Sequence, residues 1–136
     1  MKYALLLGRI LFSLIFLMSA FGHFGAETIA FAAAKGVPAS NILVPVTGLM
    51  EIFGAITIII GYKAKWGAWT LVAFLIPVTF VMHNFWTLTD PMTKQMDMVS
   101  FMKNISMTGA ALMIAYFGSG PLSITSPPAP LQRKGE

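Results

Sequence analysis

Four long apolar runs dominate this chain of 136 residues. They lie at residues 10–22, 41–62, 66–82 and 104–118, and the second is interrupted by one charge, that of Glu51. A helix that crosses a bilayer needs about 20 apolar residues, with a range of roughly 17–25. The chain is 57% hydrophobic and only 10% charged, which leaves too little polar sequence to cover a soluble globule. We therefore predict an all-α integral membrane protein, a bundle of four transmembrane helices.

The segments between and after these apolar runs are predicted to form the connections between the spans and a C-terminal tail. Residues 24–38 are rich in alanine, too short to span, and end in a glycine–valine–proline stop signal. We predict that these residues form a short helix on the outer surface after the first span. The last helix is predicted to begin near residue 91, after an aspartate cap. Residues 1–120 then form the transmembrane domain, and the proline-rich residues 121–136 are predicted to be a disordered cytoplasmic tail.

The placement of the basic residues predicts the orientation in the membrane. With four spans both termini lie on one side, which by the positive-inside rule is the cytoplasmic side. The net charge of +4 is scattered along the chain, which is not typical of a nucleic-acid-binding surface. The absence of cysteine excludes disulfides and iron–sulfur clusters. The basic residues on the side of the termini are Lys2, Lys63, Lys65, Arg133 and Lys134, against three lysines on the other side.

Two charges inside apolar segments require an explanation, because a charge at mid-bilayer costs about 2.5–3.5 kcal/mol on insertion scales. Glu51 shares a helix face with Gly48 and Ala55, which lets a neighbouring helix approach closely. Arg9 is the other charge, and it argues against a cleaved signal peptide in the first run. One interpretation is an intramembrane charge pair between Arg9 and Glu51. The alternative is that Arg9 extends to the headgroups, while a protonated Glu51 holds a ligand or relays a proton.

A second set of polar residues is predicted to share one depth near the outer ends of the helices. One interpretation is that these residues simply end their helices at the membrane interface. The other is that they line a ligand pocket at headgroup depth, with residues 24–38 as its lid. In such a pocket, imidazole and ammonium groups would bind a quinone carbonyl or a headgroup phosphate. Haem is disfavoured because the chain has only two histidines and no cysteine, and no metal site is predicted. The candidate ligand-binding residues are His23, His83, Trp86, Lys103 and Asn104.

Three blocks of the chain resemble the DoxX-like family of small bacterial membrane proteins. The family's opening helix is similar to GRILFSLIFLMSAFGHF (8–24), and its central block to KGVPASNILVPVTGLMEIFGAITIIIGYKAKWGA (35–68). Its outer connection and last helix are similar to HNFWTLTDPMTKQMDMVSFMKNISMTGAALMI (83–114). The resemblance implies a four-helix bundle of the bacterial cytoplasmic (inner) membrane, linked to respiratory or oxidative-stress redox complexes. It also implies polar family positions at Arg9, His23, Glu51, His83, Lys103 and Asn104.

Two functions follow as hypotheses. The favoured one is an accessory, quinone- or lipid-binding subunit of a membrane redox complex, with other redox subunits or a second copy of the chain as partners in the bilayer. The alternative is a small-solute or proton-coupled carrier that uses Glu51. The sequence has no visible nucleophile, metal set or cofactor fingerprint, so we do not expect the chain to be an enzyme on its own.

Overall fold

The computed structural model describes residues 2–124, which form a bundle of α-helices without a strand in that range. The four longest helices, with their short 3₁₀ extensions, are long and apolar enough to cross a membrane. The predicted all-α fold with four spans is therefore confirmed, and a short helix follows the first span as predicted. The helices are α1 (Lys2–Ala20), α2 (Ala26–Ala34), α3 (Ser40–Ile60), α4 (Ala64–Met82) and α5 (Pro91–Phe117), with 3₁₀ turns at Phe21–Phe24 and Phe85–Thr87.

The start of α1, the α3–α4 turn and the end of α5 lie together at one end of the bundle, called the terminal end below. There the amide of Ile124 donates to the carbonyl of Ile60 at 3.1 Å. The opposite end, the distal end, carries α2 and the connection between α4 and α5. Residues 121–124, predicted as the start of a disordered tail, instead pack on the bundle. The rest of the predicted tail, residues 125–136, lies outside the described residues.

The four spans pack in chain order. Helix α1 packs along α3, α3 along α4 and α4 along α5, whereas α1 and α5 have no comparable contact among the described residues. The apolar core includes Phe16, Ile58, Leu71 and Ala115. Toward the distal end, a cavity separates α1 from α5. We call this incompletely packed boundary the α1–α5 seam.

Glycines allow the helices to approach each other closely. A Cβ on Gly54 of α3 would lie 2.5 Å from Leu71 Cγ of α4, and a Cβ on Gly48 would lie 2.9 Å from His23 Cβ. Membrane helices associate mainly through such van der Waals packing, because lipid offers no hydrophobic driving force between them. A larger side chain at Gly48 would displace His23, so this glycine fixes the position of the histidine over α3.

Helix α5 begins where the sequence predicts, with Pro91 in its first turn. The Asp90 carboxylate accepts a hydrogen bond from the Thr93 hydroxyl at 2.7 Å and from the Thr93 amide at 2.8 Å. These hydrogen bonds lower the pKa of the Asp90 carboxyl below its usual value. The 27 residues of α5 extend about 40 Å at 1.5 Å per residue. Helix α5 is thus about 10 Å longer than the hydrocarbon core of a bilayer is thick, which is about 30 Å.

Candidate functional site

Glu51 lies at the centre of a polar cluster between α1 and α3 and is only 2% exposed. Its Oε1 accepts a hydrogen bond from the Ser19 hydroxyl at 2.5 Å, and its Oε2 lies 3.3 Å from His23 Nε2. Oε2 makes no complete hydrogen bond with the described residues, so its contact with the imidazole is electrostatic. We call Ser19, His23, Thr47 and Glu51 the Glu51 cluster.

The predicted pair between Arg9 and Glu51 is not present. Arg9 Nη1 donates to the carbonyl of Ser119 at 2.6 Å, and Nη2 donates to the carbonyl of Leu122 at 2.5 Å. The guanidinium lies beside Gly61, which is ten residues, or about 15 Å, along α3 from Glu51. The prediction was wrong because the residues after α5 fold back and offer backbone carbonyls much closer to Arg9.

The antiparallel register of α1 and α3 brings His23 to the carboxylate. His23 lies against Gly48, and Arg9 lies against Gly61. The two contacts are fourteen residues apart along the first span and thirteen residues apart from Gly48 to Gly61, so the two helices run side by side in opposite directions. Glu51 therefore faces the last turn of α1 and the 3₁₀ turn that extends it. In this register the imidazole, and not the guanidinium, reaches the carboxylate.

Thr47 fixes the tautomer of His23. The Thr47 hydroxyl lies 2.6 Å from the carbonyl oxygen of Val44 and uses its single proton in that contact. It also lies 2.8 Å from His23 Nδ1, so Nδ1 must carry a hydrogen and donate it to Thr47. On the other side of the ring, the contact between Nε2 and Glu51 Oε2 is attractive when the two atoms hold one proton between them. The Glu51 cluster can therefore store a single proton inside the bundle.

A cavity of about 170 Å³ lies between α1 and α5, beside the Glu51 cluster. We call it the polar cavity. Phe16 and Phe74 contribute apolar surface to it. The cavity brings together four of the five residues predicted to bind a ligand, and it adds Glu51 to them. Its polar lining residues are Ser19, His23, Glu51, His83, Lys103 and Asn104.

Trp86, the fifth predicted ligand residue, does not line the polar cavity. Its ring centroid lies 5.3 Å from that of Phe85 and 5.9 Å from that of Phe101, in edge-on contacts. The indole is half exposed and belongs to an aromatic cluster at the distal end. Its proximity in sequence to His83 suggested a place in the pocket, but the 3₁₀ turn after α4 directs it toward Phe101 of α5.

A second cavity, of about 340 Å³, adjoins the first and is mainly apolar. We call it the apolar cavity. The two cavities share His23, Phe74, Val78 and His83 as lining residues. Helix α2 forms part of the wall of the apolar cavity and none of the polar cavity's lining. The segment predicted as a lid thus lies against the apolar cavity, where a hydrocarbon chain would fit better than a polar head.

Three polar partners were not singled out from the sequence: Ser19, Thr47 and Asp97. The first two precede the histidine and the glutamate of the cluster by four residues, which places each pair on one helix face. Ser19 and Thr47 could have been predicted as cluster members from this local spacing. Asp97 Oδ1 lies 2.9 Å from His83 Nδ1, but His83 follows α4 whereas Asp97 lies on α5, and no local pattern links them.

The chemistry of the site suits an organic ligand. Among residues 2–124, no three His, Cys, Asp or Glu side chains come together as a metal site. The polar cavity instead offers imidazole, ammonium and amide groups as hydrogen-bond donors, with a buried carboxylate oxygen as an acceptor. Such a set can hold a small polar head that both accepts and donates hydrogen bonds.

Comparison with known proteins assigns the family. The sequence profile of the DoxX family matches residues 4–84, which is more than half of the chain. The chain belongs to the DoxX family. Inner membrane protein YphA of Escherichia coli (strain K12) is 29% identical to it over 124 residues, 88% of this chain and 86% of YphA. Inner membrane protein YqjF of the same strain is 29% identical over 122 residues, 88% of this chain and 87% of YqjF. No solved structure matches the chain.

The DoxX match confirms the family resemblance seen in the sequence and covers α1 to α4. It therefore includes the Glu51 cluster and His83. Lys103 and Asn104, which lie on α5, are outside the matched residues although they line the same cavity. The polar cavity is thus formed partly by the DoxX-matched region and partly by a helix beyond it.

Proposed function

We propose that this DoxX-family membrane protein binds a quinone-like or lipid amphiphile, as an accessory subunit of a redox complex in the bacterial inner membrane. The adjoining polar and apolar cavities carry the proposal. The polar cavity offers donors to a carbonyl or phosphate head, and the apolar cavity continues from it between His23 and His83. The inner-membrane names of YphA and YqjF support the location.

The sizes of the two cavities favour an amphiphile. Typical small-molecule pockets have volumes of roughly 300–1,000 Å³, so the polar cavity of about 170 Å³ suits a head group rather than a whole ligand. The apolar cavity adds about 340 Å³ of mainly hydrocarbon-lined space. A ligand with a small polar ring and an apolar chain would use both.

Removing polar side chains from the polar cavity should weaken binding of a quinone. For Lys103→Ala and His83→Ala, we expect the Kd of a ubiquinone with one isoprenoid unit to rise about tenfold. A hydrogen bond to a charged group contributes about 1.5–3 kcal/mol, and about 1.4 kcal/mol corresponds to a factor of ten. Quenching of tryptophan fluorescence in the detergent-purified protein measures the Kd.

The matched control is Lys94→Ala, which removes an exposed lysine from the same helix outside both cavities. Its Kd should equal that of the unmodified protein. If Lys103→Ala and His83→Ala also leave the Kd unchanged, quinone binding at the polar cavity is ruled out. Repeating the titration with a short-chain phosphatidylglycerol distinguishes a phosphate head from a quinone ring.

The proposed orientation places the terminal end in the cytoplasm, since Lys2, Lys63 and Lys65 lie there. Because the natural chain has no cysteine, single cysteines can be introduced as Tyr62→Cys and Gln95→Cys, both at exposed positions. In intact spheroplasts, an impermeant thiol reagent should label position 95 and leave position 62 unlabelled. The reverse pattern would show that the protein has the opposite orientation.

A proton-coupled carrier is the second candidate function. The observation that favours it is the contact between His23 Nε2 and Glu51 Oε2, which can hold one proton inside the bundle. Sealed proteoliposomes separate the two candidates. Proton-linked solute uptake that is abolished by Glu51→Gln and retained by Glu27→Gln, an exposed residue of α2, would favour the carrier over the binding subunit.

A further inference from the structure

A third cavity, of about 460 Å³, lies at the terminal end between the start of α4 and the end of α5. It shares no lining residue with the polar or the apolar cavity. Nothing in the proposed function uses it. The described residues that line it are Lys63, Ala64, Lys65 and Trp66 on one side, and Phe117, Gly118, Ser119 and Gly120 on the other.

This terminal cavity is basic. Two of its described lining residues are lysines and none is acidic. The aliphatic part of Lys65 extends across to the end of α5, since a Cβ on Gly118 would lie 3.3 Å from Lys65 Cε. Neither lysine takes part in the salt bridges found among the described residues, which involve His23 and His83. The described lining of the terminal cavity therefore contains no carboxylate that would neutralise the two lysines.

The rim of the terminal cavity is aromatic and strongly exposed. Trp66 is 70% exposed and Phe117 is 76% exposed. Farther along the same two helices, Trp69 of α4 and Met113 of α5 are also more than half exposed. Tryptophan is enriched at the membrane–water interface, so the cavity opens at headgroup depth, with apolar helix surface continuing toward the hydrocarbon.

We propose that the terminal cavity binds the phosphate of an anionic phospholipid. Lys63 and Lys65 supply the ammonium donors for the phosphate oxygens, and the exposed faces of α4 and α5 adjoin the acyl chains. Lysines near the membrane surface attract anionic lipids. Here the two lysines line one cavity with an aromatic rim, so a lipid headgroup would bind at a defined position. The site does not depend on quinone binding or on the orientation of the chain.

A single-tryptophan protein tests this site. Trp69→Phe and Trp86→Phe leave Trp66 as the only indole, at the rim of the cavity. In phosphatidylcholine vesicles, brominated phosphatidylglycerol should quench Trp66 at a mole fraction about five-fold lower than brominated phosphatidylcholine does. Adding Lys63→Gln and Lys65→Gln should abolish this preference.

The matched control, Lys2→Gln with Lys94→Gln, also removes two positive charges, but both lie outside the terminal cavity. It should retain the preference for phosphatidylglycerol. Equal quenching by the two lipids in the single-tryptophan protein would overturn the proposal, and so would an equal loss in the control. Sodium phosphate, compared with sodium chloride at equal ionic strength, identifies the source of the anion. Relief of quenching by phosphate would assign the site to free phosphate and overturn the lipid assignment, whereas no relief supports the lipid.

Discussion

Replacing Glu51 with leucine should lower the free energy of unfolding by about 2 kcal/mol, because the Ser19 hydroxyl and the His23 imidazole then lose their buried partner, and a buried polar group without a partner costs about 1–3 kcal/mol. His23→Leu should have a similar effect, since it leaves the carboxylate without its imidazole. The double variant should recover part of the loss, with a coupling energy of about 0.5–3 kcal/mol for residues in contact. Thermal unfolding of the detergent-purified proteins measures all three changes.

The control for this cycle pairs Glu51→Leu with Arg9→Leu. These residues have separate partners, so their effects should add to within about 0.5 kcal/mol. Strict additivity between His23 and Glu51 would contradict the contact seen in the Glu51 cluster. Strong coupling between Arg9 and Glu51 would instead support the pair that the sequence first suggested.

Arg9→Leu should release the segment after α5 from the terminal end. A hydrogen bond from a charged donor contributes about 1.5–3 kcal/mol, and Arg9 donates two of them, to Ser119 and Leu122. We expect hydrogen exchange of the Ile124 amide, which donates to Ile60, to become at least about tenfold faster. Arg9→Lys should be intermediate, because an ammonium lacks the planar fork of donors.

The amide of Lys94 provides the internal control for that measurement. It donates to the Asp90 carbonyl at the distal end, at 2.9 Å, so its exchange should be the same in all three proteins. Unchanged exchange at Ile124 in Arg9→Leu would show that other contacts hold the segment. Faster exchange at both amides would indicate general destabilisation instead of local release.

The spans and the start of α5 could be predicted because their signals are local. Twenty apolar residues indicate a membrane helix whatever surrounds them, and Asp90 with Pro91 indicates a helix start from two adjacent positions. The cavity was largely predictable for a similar reason. His83 directly follows α4, and Lys103 directly precedes the apolar run at 104–118, so their common depth could be estimated by counting residues from the apolar runs.

The partners of the buried charges could not be predicted in this way. Arg9 binds backbone carbonyls, and a carbonyl has the same chemistry at every position, so no sequence pattern marks Ser119 or Leu122 as its acceptor. The partner of Glu51 depends on the register between α1 and α3, which the close approach at Gly48 determines. A change of one helical turn, about 5.4 Å, would give Glu51 different neighbours.

Because of the α1–α5 seam, occupancy of the polar cavity is determined by the concentration of the ligand in the membrane and not by its concentration in water. An amphiphile that reaches the cavity between these two helices comes from the hydrocarbon phase and not from water. Occupancy then depends on the mole fraction of the ligand in the membrane, which its partition coefficient raises far above its aqueous concentration. A site with weak intrinsic affinity can be filled under these conditions, and the bilayer excludes water-soluble competitors before the protein has to discriminate against them.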